Sequence, residues 1–359
     1  LKVLLVQGGF GAGGAEKVVA MIAAHRAGRG DDVHIAGMTM PEGGSYFSYP
    51  EAVTLHPMQS GALPRRRVQW NRLKHIRQVI KKVRPDVVVS FLTKINTLTL
   101  AATLDNRVPV VISERNNPRA QNAHPVWRQA QHLLARRARA IVMQTDRARE
   151  DLPAGLRGRA EVIANPCAPF PGVEEGLGRN GSQLVAVGRL DRQKGFDILI
   201  DAMTDIRDRV PDVHLTIYGV GSERSALEDQ RDRLGLTDVV SMPGPSKQPG
   251  DWMKGADILV FPSRFEGFPN VVAEATVSGL PVVSADCAYG PRELIRQEEN
   301  GLLVPSEDAK ALSAAVVRLS QDPELRARMR ESAERNRLWL APKYVLGEWD
   351  RVIDGTQFG

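Results

Sequence analysis

The chain has 359 residues, of which 42% are hydrophobic and 25% charged, and a formal net charge of +6. That length supports two domains with a core each, and the composition excludes a disordered or fibrous chain. Two cysteines, Cys167 and Cys287, are too few for a disulfide framework and point to a reducing compartment.

The chain opens in the strand-like run Lys2-Val3-Leu4-Leu5-Val6, with no signal-peptide pattern before it. Strands are predicted at 2–7, 33–38, 86–91, 109–113, 140–144 and 160–163, with helical periodicity at 14–27, 66–83, 94–104 and 125–138. Apolar runs such as Val87-Val88-Val89 read as strands buried on both faces, and the alternation implies a parallel sheet between helices. Pro and Gly then cluster from Ala164 to Gly172, with Gly176, Gly178 and Gly181 following, which reads as an interdomain linker. The alternation restarts with strands at 183–187, 213–218, 238–242, 258–261, 281–284 and 301–304. Helices are expected near 195–208, 222–234, 270–278, 308–320 and 323–338. A last helix at about 343–354 follows Pro342 and is expected to cross back to the first domain. No apolar run approaches the roughly 18 residues of a membrane span. Ligands of such sheets sit at the carboxyl ends of the strands, so the cleft between two facing sheets is the expected site.

Gly9-Phe10-Gly11-Ala12-Gly13-Gly14 fits G-x-G-x-x-G between a strand and a helix. A dinucleotide site also needs an acid at the end of the second strand. That strand ends near Met38-Thr39, while Asp31 and Asp32 precede it. The turn stays open between an NAD(P) site, a plain tight turn, and a loop whose N–H groups approach an anion such as a donor phosphate.

The second half is more specific. Gly188-Arg189-Leu190 ends a strand and Lys194-Gly195 opens a helix, so one guanidinium and one ammonium share a loop. Two solvated surface cations are one reading, and neutralisation of a diphosphate leaving group is the other. Gly219-Val220-Gly221 forms another close-approach turn. In Phe265-Glu266-Gly267-Phe268-Pro269-Asn270-Val271-Val272-Ala273-Glu274, Pro269 marks a helix start. Acids capping a helix would have this spacing. So would two carboxylates holding two diols, one on a sugar and one on a ribose, with N–H groups at the helix start between them.

Glu266 and Glu274 in E-x7-E, preceded by Gly188-Arg189-Leu190 and Lys194-Gly195, resemble the retaining glycosyltransferase family 4. Gly13-Gly14-Ala15-Glu16 and Asn165-Pro166 fit as well, so the resemblance covers essentially the whole chain. It implies an α/β GT-B fold, two Rossmann-like domains facing each other across a cleft. Residues 1–164 would bind the acceptor, 165–182 link, 183–340 bind the nucleotide-sugar, and 341–359 pack back on the first domain. By position, the resemblance makes Arg189 and Lys194 ligands of the donor diphosphate, Glu266 of the transferred sugar and Glu274 of the ribose. Gly13, Gly14, Gly188, Gly219, Gly267, Phe268, Pro269 and Asn270 complete the implied donor site. Transfer would be retaining, with the leaving phosphate helping to deprotonate the acceptor. No D-x-D motif or Cys/His cluster is present, so neither metal nor cofactor is expected. Family members usually carry a His after the strand at 109–113. Here Ser113-Glu114-Arg115-Asn116-Asn117-Pro118 places Arg115 there, as a candidate for an acceptor phosphate, with Glu114 a candidate for a sugar hydroxyl.

Charge adds a partner. Residues 1–166 carry 25 Lys+Arg and 12 Asp+Glu, against 23 and 30 in the remainder. Residues 52–85 contain nine Lys+Arg and no acid. On a helical wheel Arg66, Trp70, Lys74, Arg77, Lys81 and Arg84 share one side, and Leu73, Ile76, Ile80 and Val83 the other. A solvated face is one reading. An anionic bilayer or lipid diphosphate held by Lys74, Arg77 and Lys81 is the other, and no nucleic-acid-binding motif appears. Val89-Ser90-Phe91-Leu92, Ile112-Ser113-Glu114 and Asn165-Pro166-Cys167 resemble the bacterial subgroup that extends polyprenyl-diphosphate-linked oligosaccharides, including N-acetylgalactosaminyl- and galactosyltransferases. The resemblance implies a UDP-linked hexose or N-acetylhexosamine donor and a cytoplasmic enzyme peripheral to the inner face of the cell membrane. The competing readings are an NAD(P)-dependent enzyme, a non-catalytic nucleotide-binding module at a membrane, and a GT-B epimerase.

Overall fold

The computed structural model describes residues 1–58, 67–115, 125–173, 178 and 180–355. Arg66, Asn116 to Pro118 and Gly176 lie outside the described residues. The chain divides into two compact units, Leu1–Pro166 with Lys343–Gly359, and Cys167–Pro342.

Among the described residues the first unit carries seven strands: β1 (Lys2–Gln7), β2 (Asp32–Gly37), β3 (Val53–Pro57), β4 (Val87–Phe91), β5 (Val110–Ser113), β6 (Ala140–Met143) and β7 (Ala160–Val162). They run parallel in the order β3-β2-β1-β4-β5-β6-β7. The second unit carries six: β8 (Gln183–Val187), β9 (His214–Tyr218), β10 (Val240–Gly244), β11 (Ile258–Phe261), β12 (Val282–Ala285) and β13 (Gly301–Val304). These are also parallel, in the order β10-β9-β8-β11-β12-β13. In each sheet the order reverses beside the first strand, the Rossmann-like pattern that opens a ligand site at the strand ends. Each unit has its own core: Val3, Leu5, Val89 and Val111 lie in the first, and Leu199, Ile217, Val260 and Val316 in the second.

β3 was not anticipated. It is a half-buried edge strand, Val-Thr-Leu-His-Pro, whose Pro57 pairs with Gly37. An edge position tolerates the missing N–H of proline. The helix expected at 323–338 is two, Pro323–Glu331 and Ala333–Trp339, parted at Ser332. Short helices at Asp146–Glu150, Ala154–Arg157 and Pro291–Leu294 also went unread.

The last helix, Pro342–Asp354, buries Val345, Leu346, Trp349, Val352 and Ile353 in the core of the first unit. The indole of Trp349 lies 5.6 Å from the ring of Phe91. Arg26, almost fully buried, reaches Asp350 at 2.8 Å, Asp354 at 2.7 Å and Asp31 at 2.5 Å. Arg139 donates to the carbonyls of Val352 (2.5 Å) and Ile353 (2.7 Å), closing acceptors a helix end leaves open. Among the described residues no helix is long and apolar enough to cross a membrane.

Candidate functional site

Three glycines bring the strand ends of the second unit together. A Cβ on Gly219 would lie 1.8 Å from the carbonyl oxygen of Gly188, and one on Gly195, at φ +66°, 2.3 Å from that of Pro262. A Cβ on Gly188 would press on the stem of Lys194 at 3.1 Å. The 3-10 turn Arg192–Lys194 therefore sits directly on the loop after β11, and the Lys194 stem lies over bare backbone. Its ammonium is 2.7 Å from Glu266 Oε1 and 5.4 Å from the centroid of the Phe261 ring. Both side chains of the pair are largely buried, at 14% and 7% exposure. Gln193 Nε2 donates to the Phe265 carbonyl at 2.9 Å and meets Glu266 Oε2 at 3.5 Å. Arg189 is different: its side chain is 71% exposed and 3.2 Å from Asp191.

A second loop holds Glu266 from behind. Its N–H donates to Ala288 at 3.0 Å, and its carbonyl accepts from Tyr289 at 3.3 Å. Cys287 lies in that loop, and burial, then the charge of Glu266, pushes its thiol up to about 12. Gly290 lacks the Cβ that would strike Pro269 at 2.3 Å. Pro269 is the N-cap of the helix Asn270–Val277, with Gly267 and the buried Phe268 before it and the half-buried Glu274 inside it. Lys194, Gln193, Glu266 and Cys287 are thus gathered at one point, with Arg189 and Glu274 on elements that follow the neighbouring strands β8 and β11. Gln193 and Cys287 escaped the sequence reading. Gln193 adjoins Lys194, but only the fold brings residues 287–289 to Glu266.

In the first unit Gly13 is the N-cap of the helix Gly14–Gly28 and makes no side-chain cap. The carboxylate of Glu16 lies back over it, where a Cβ on Gly13 would meet Oε2 at 2.0 Å. Burial raises the Glu16 pKa, and an acid in the first turn already complements the helix dipole. Phe10 packs over Gly37, where a Cβ would come within 2.2 Å of its ring. β2 ends there and runs into Met38-Thr39-Met40, which offers no ribose-binding acid.

Glu114 and Arg115 follow β5 and are both buried. Glu114 accepts from Thr93 Oγ1 (2.6 Å), Asn96 Nδ2 (2.9 Å) and Gln131 Nε2 (3.3 Å). Burial raises its pKa against those three hydrogen bonds. It lines a cavity of about 80 Å³ that Thr93, Gln131, His132 and Asp151 share with an apolar wall including Ile112 and Met143. The Arg115 guanidinium packs against both Phe91 and Trp349, 5.4 Å from each ring centroid, and donates to Asn165 Oδ1. Burial lowers its pKa to about 9.

The basic helix spans Val68–Val83 and buries Ile76, Val79, Ile80 and Val83. Lys74 and Lys81 are exposed. Trp70 is 57% exposed, with the Lys74 ammonium 5.6 Å from its ring centroid. Arg77 pairs with Asp105 at 2.7 Å, which lowers the Asp105 pKa. Among the described residues no three His, Cys, Asp or Glu side chains are placed to hold a metal ion.

Comparison with known proteins follows these halves. Residues 13–167 match the model of the glycosyl transferase 4-like domain, and residues 174–336 that of the glycosyl transferases group 1. The amylovoran biosynthesis glycosyltransferase AmsD of Erwinia amylovora is 21% identical over 358 residues, which cover 98% of this chain and 99% of that one. An uncharacterised glycosyltransferase of Methanocaldococcus jannaschii is 24% identical over 338 residues, or 79% of this chain and 83% of that one. The crystal structure of Anabaena HepE in complex with UDP superposes with a TM-score of 0.81 at 20% identity, covering 99% of this chain and 100% of that one. With both halves matched and the fold shared end to end, the chain belongs to the GT4-like glycosyltransferases of GT-B fold, enzymes that take their sugar from a nucleotide-sugar donor.

Proposed function

We propose that this enzyme moves a hexose or N-acetylhexosamine, with retention, from a UDP-sugar to a polyprenyl-diphosphate-linked oligosaccharide at a membrane surface. The observation that carries the donor half is the buried Lys194–Glu266 pair set against the glycine-lined end of β8. Lys194 and Arg189 neutralise the diphosphate in place of a metal ion, Glu266 takes hydroxyls of the transferred sugar, and Glu274 takes the ribose diol. Gly188, Gly219, Gly267, Phe268, Pro269 and Asn270 shape this site, and Gly13 and Gly14 are assigned to the donor phosphates. The bond from the anomeric carbon to the β-phosphate oxygen breaks as the acceptor oxygen bonds the same face. The acceptor proton passes to the leaving phosphate, which departs as UDP. UDP is favoured because HepE, a protein of the same fold, was crystallised with UDP and with UDP-glucose.

The acceptor half rests on charge. Lys74, Arg77 and Lys81 lie on a helix whose opposite face is buried, and Trp70 stands exposed beside them. Each cation near an anionic surface contributes about 1 kcal/mol, which gives reversible attachment to a bilayer and its lipid diphosphates. Arg77 contributes less, because Asp105 already pairs with it. Glu114 and Arg115 are assigned to the acceptor sugar and phosphate.

Calorimetric titration with UDP, GDP, ADP and dTDP tests the donor; UDP is expected to bind most tightly, and NAD(H) not to bind. Transfer from UDP-sugars to an extracted lipid-linked saccharide tests the acceptor. Reversing Lys74, Arg77 and Lys81 to Glu is expected to abolish that transfer and leave UDP binding intact. Unchanged transfer in the triple variant refutes the lipid-linked assignment.

A further inference from the structure

The guanidinium of Arg264 lies two residues before Glu266 and does not belong to the charged pair. It reaches three separate segments. Nη1 and Nη2 form a two-pronged bond to Asp197, at 2.8 and 2.7 Å. Asp197 stands in the first turn of the helix Phe196–Arg209, directly after the turn that carries Lys194. Nη1 also donates to the carbonyl of Arg192, inside that turn, at 2.8 Å. Nε donates to Glu307, in the loop after β13, at 2.8 Å. The main chain adds a further tie, since Arg264 N–H donates to the Gln193 carbonyl at 2.8 Å. The Gln193 side chain returns the contact through the Phe265 carbonyl at 2.9 Å. The loop bearing Glu266 and the turn bearing Lys194 are therefore laced together from both sides, and Arg264 supplies the largest share of the bonds.

We infer that Arg264 is a positioning residue: with Asp197 it fixes the separation of Lys194 and Glu266, and so determines how tightly the donor diphosphate is held. The inference rests on the donor-site assignment proposed above. Its physical basis is the planar fork. A guanidinium bonding a carboxylate through two parallel N–H groups sets distance and angle together, which a lysine ammonium cannot do. A binding group displaced by about 1 Å loses on the order of 10²-fold in rate, so a brace of this kind is felt at the ligand although it never touches it. The ion pair holds the Asp197 carboxyl below its ordinary value and the guanidinium above its own. Both groups stay charged throughout the working pH range, and the brace does not loosen with pH. Glu307, 60% exposed, is the outer and weaker partner.

The test compares Arg264→Met, Arg264→Lys, Asp197→Asn and Glu307→Gln by UDP titration, by KM and kcat for the UDP-sugar, and by thermal melting. Arg264→Met is expected to weaken UDP binding and raise donor KM about tenfold. Arg264→Lys should recover little of that loss, and Asp197→Asn should weaken UDP binding about threefold. Glu307→Gln should leave UDP binding unchanged. Millimolar guanidinium should restore UDP affinity to Arg264→Ala in part, which a purely structural role would not produce. The inference is overturned if Arg264→Met and Asp197→Asn bind UDP within about twofold of the wild type, whatever happens to their melting temperatures. Should Arg264→Met fail to fold, Asp197→Asn keeps the decision, because its side-chain volume is unchanged. Wild-type protein that binds no nucleoside diphosphate would overturn the donor-site assignment, a failure visible before any variant is compared.

Discussion

Lys194 and Glu266 stand 2.7 Å apart at the strand ends of the second unit, each supplying the other's counter-charge. Glu114 and Arg115 occupy the corresponding edge of the first unit and adjoin in sequence, yet neither has an opposite charge as partner among the described residues. Among those residues Glu114 is held by the Thr93 hydroxyl and the Asn96 and Gln131 amides, and Arg115 by the Asn165 amide and two aromatic rings, with the Gln144 amide beside it. A paired site resists a ligand until the ligand offers more than the partner already does. A buried single charge imposes its desolvation cost on the fold continuously and offers its full charge to whatever arrives. The first arrangement suits a diphosphate that must be gripped and then released. The second suits groups recognised for shape and hydrogen bonding.

The pair gives the largest expected effect. In the proposed donor site Glu266→Gln removes the negative charge and one of the two acceptor oxygens offered to the sugar hydroxyls, and should lower kcat by about 10²–10³-fold. The same change frees Lys194 from its counter-charge, so UDP alone should bind about threefold more tightly. Calorimetry against kcat on one preparation separates the two. Weaker UDP binding by Glu266→Gln would mean that the pair acts as one preassembled unit and does not have to be parted.

How much of this could be read from the sequence differs between the two regions for a physical reason. The proposed donor side is built from short-range signals: Gly188, Lys194-Gly195 and Glu266 to Glu274 sit in strand–loop–helix junctions whose geometry follows from glycine and proline. The brace behind them does not, since Arg264 meets Asp197 from 67 positions away. The surroundings of Arg115 are harder still. Its partners, Phe91, Asn165 and Trp349, come from three distant stretches, and Trp349 arrives only because the last helix belongs to the first unit. Read from sequence alone, Arg115 is a candidate ligand contact after a strand; the structure buries it against two rings. β3 was missed because it has only five residues, just one of them buried, and ends in a proline.

Arg115→Met sharpens the contrast with a middle-sized effect. Burial holds the guanidinium near 9, below its ordinary 12.5. Unfolding therefore takes up a proton between those two values, and the stability this group contributes rises with pH across that window and is lowest below it. At neutral pH the apolar replacement should melt within about 1 kcal/mol of the wild type, and wild type should gain on it as pH is raised towards the alkaline limit. Transfer to the proposed lipid-linked acceptor should fall about tenfold. A variant with full transfer and a lower melting temperature at neutral pH would make Arg115 a packing partner of the two rings and nothing more.

The smallest effect is at Glu114, and its sign is the informative part. Burial raises this carboxyl above 4.5, so the folded chain holds a proton that the unfolded chain releases between 4.5 and the raised value. The stability it contributes is fully present below 4.5 and is lost as pH rises through the folded pKa. Glu114→Gln keeps an oxygen for Asn96 and Gln131 and presents an amide to the Thr93 hydroxyl, without the buried charge. At neutral pH it should be more stable than the wild type by about 1 kcal/mol, the difference vanishing as the pH approaches 4.5. Melting curves across that range decide it. A variant less stable than wild type at neutral pH would mean that the three hydrogen bonds to the carboxylate outweigh its desolvation. The contrast between the paired and the unpaired site would then be one of partners, with no standing cost on either side.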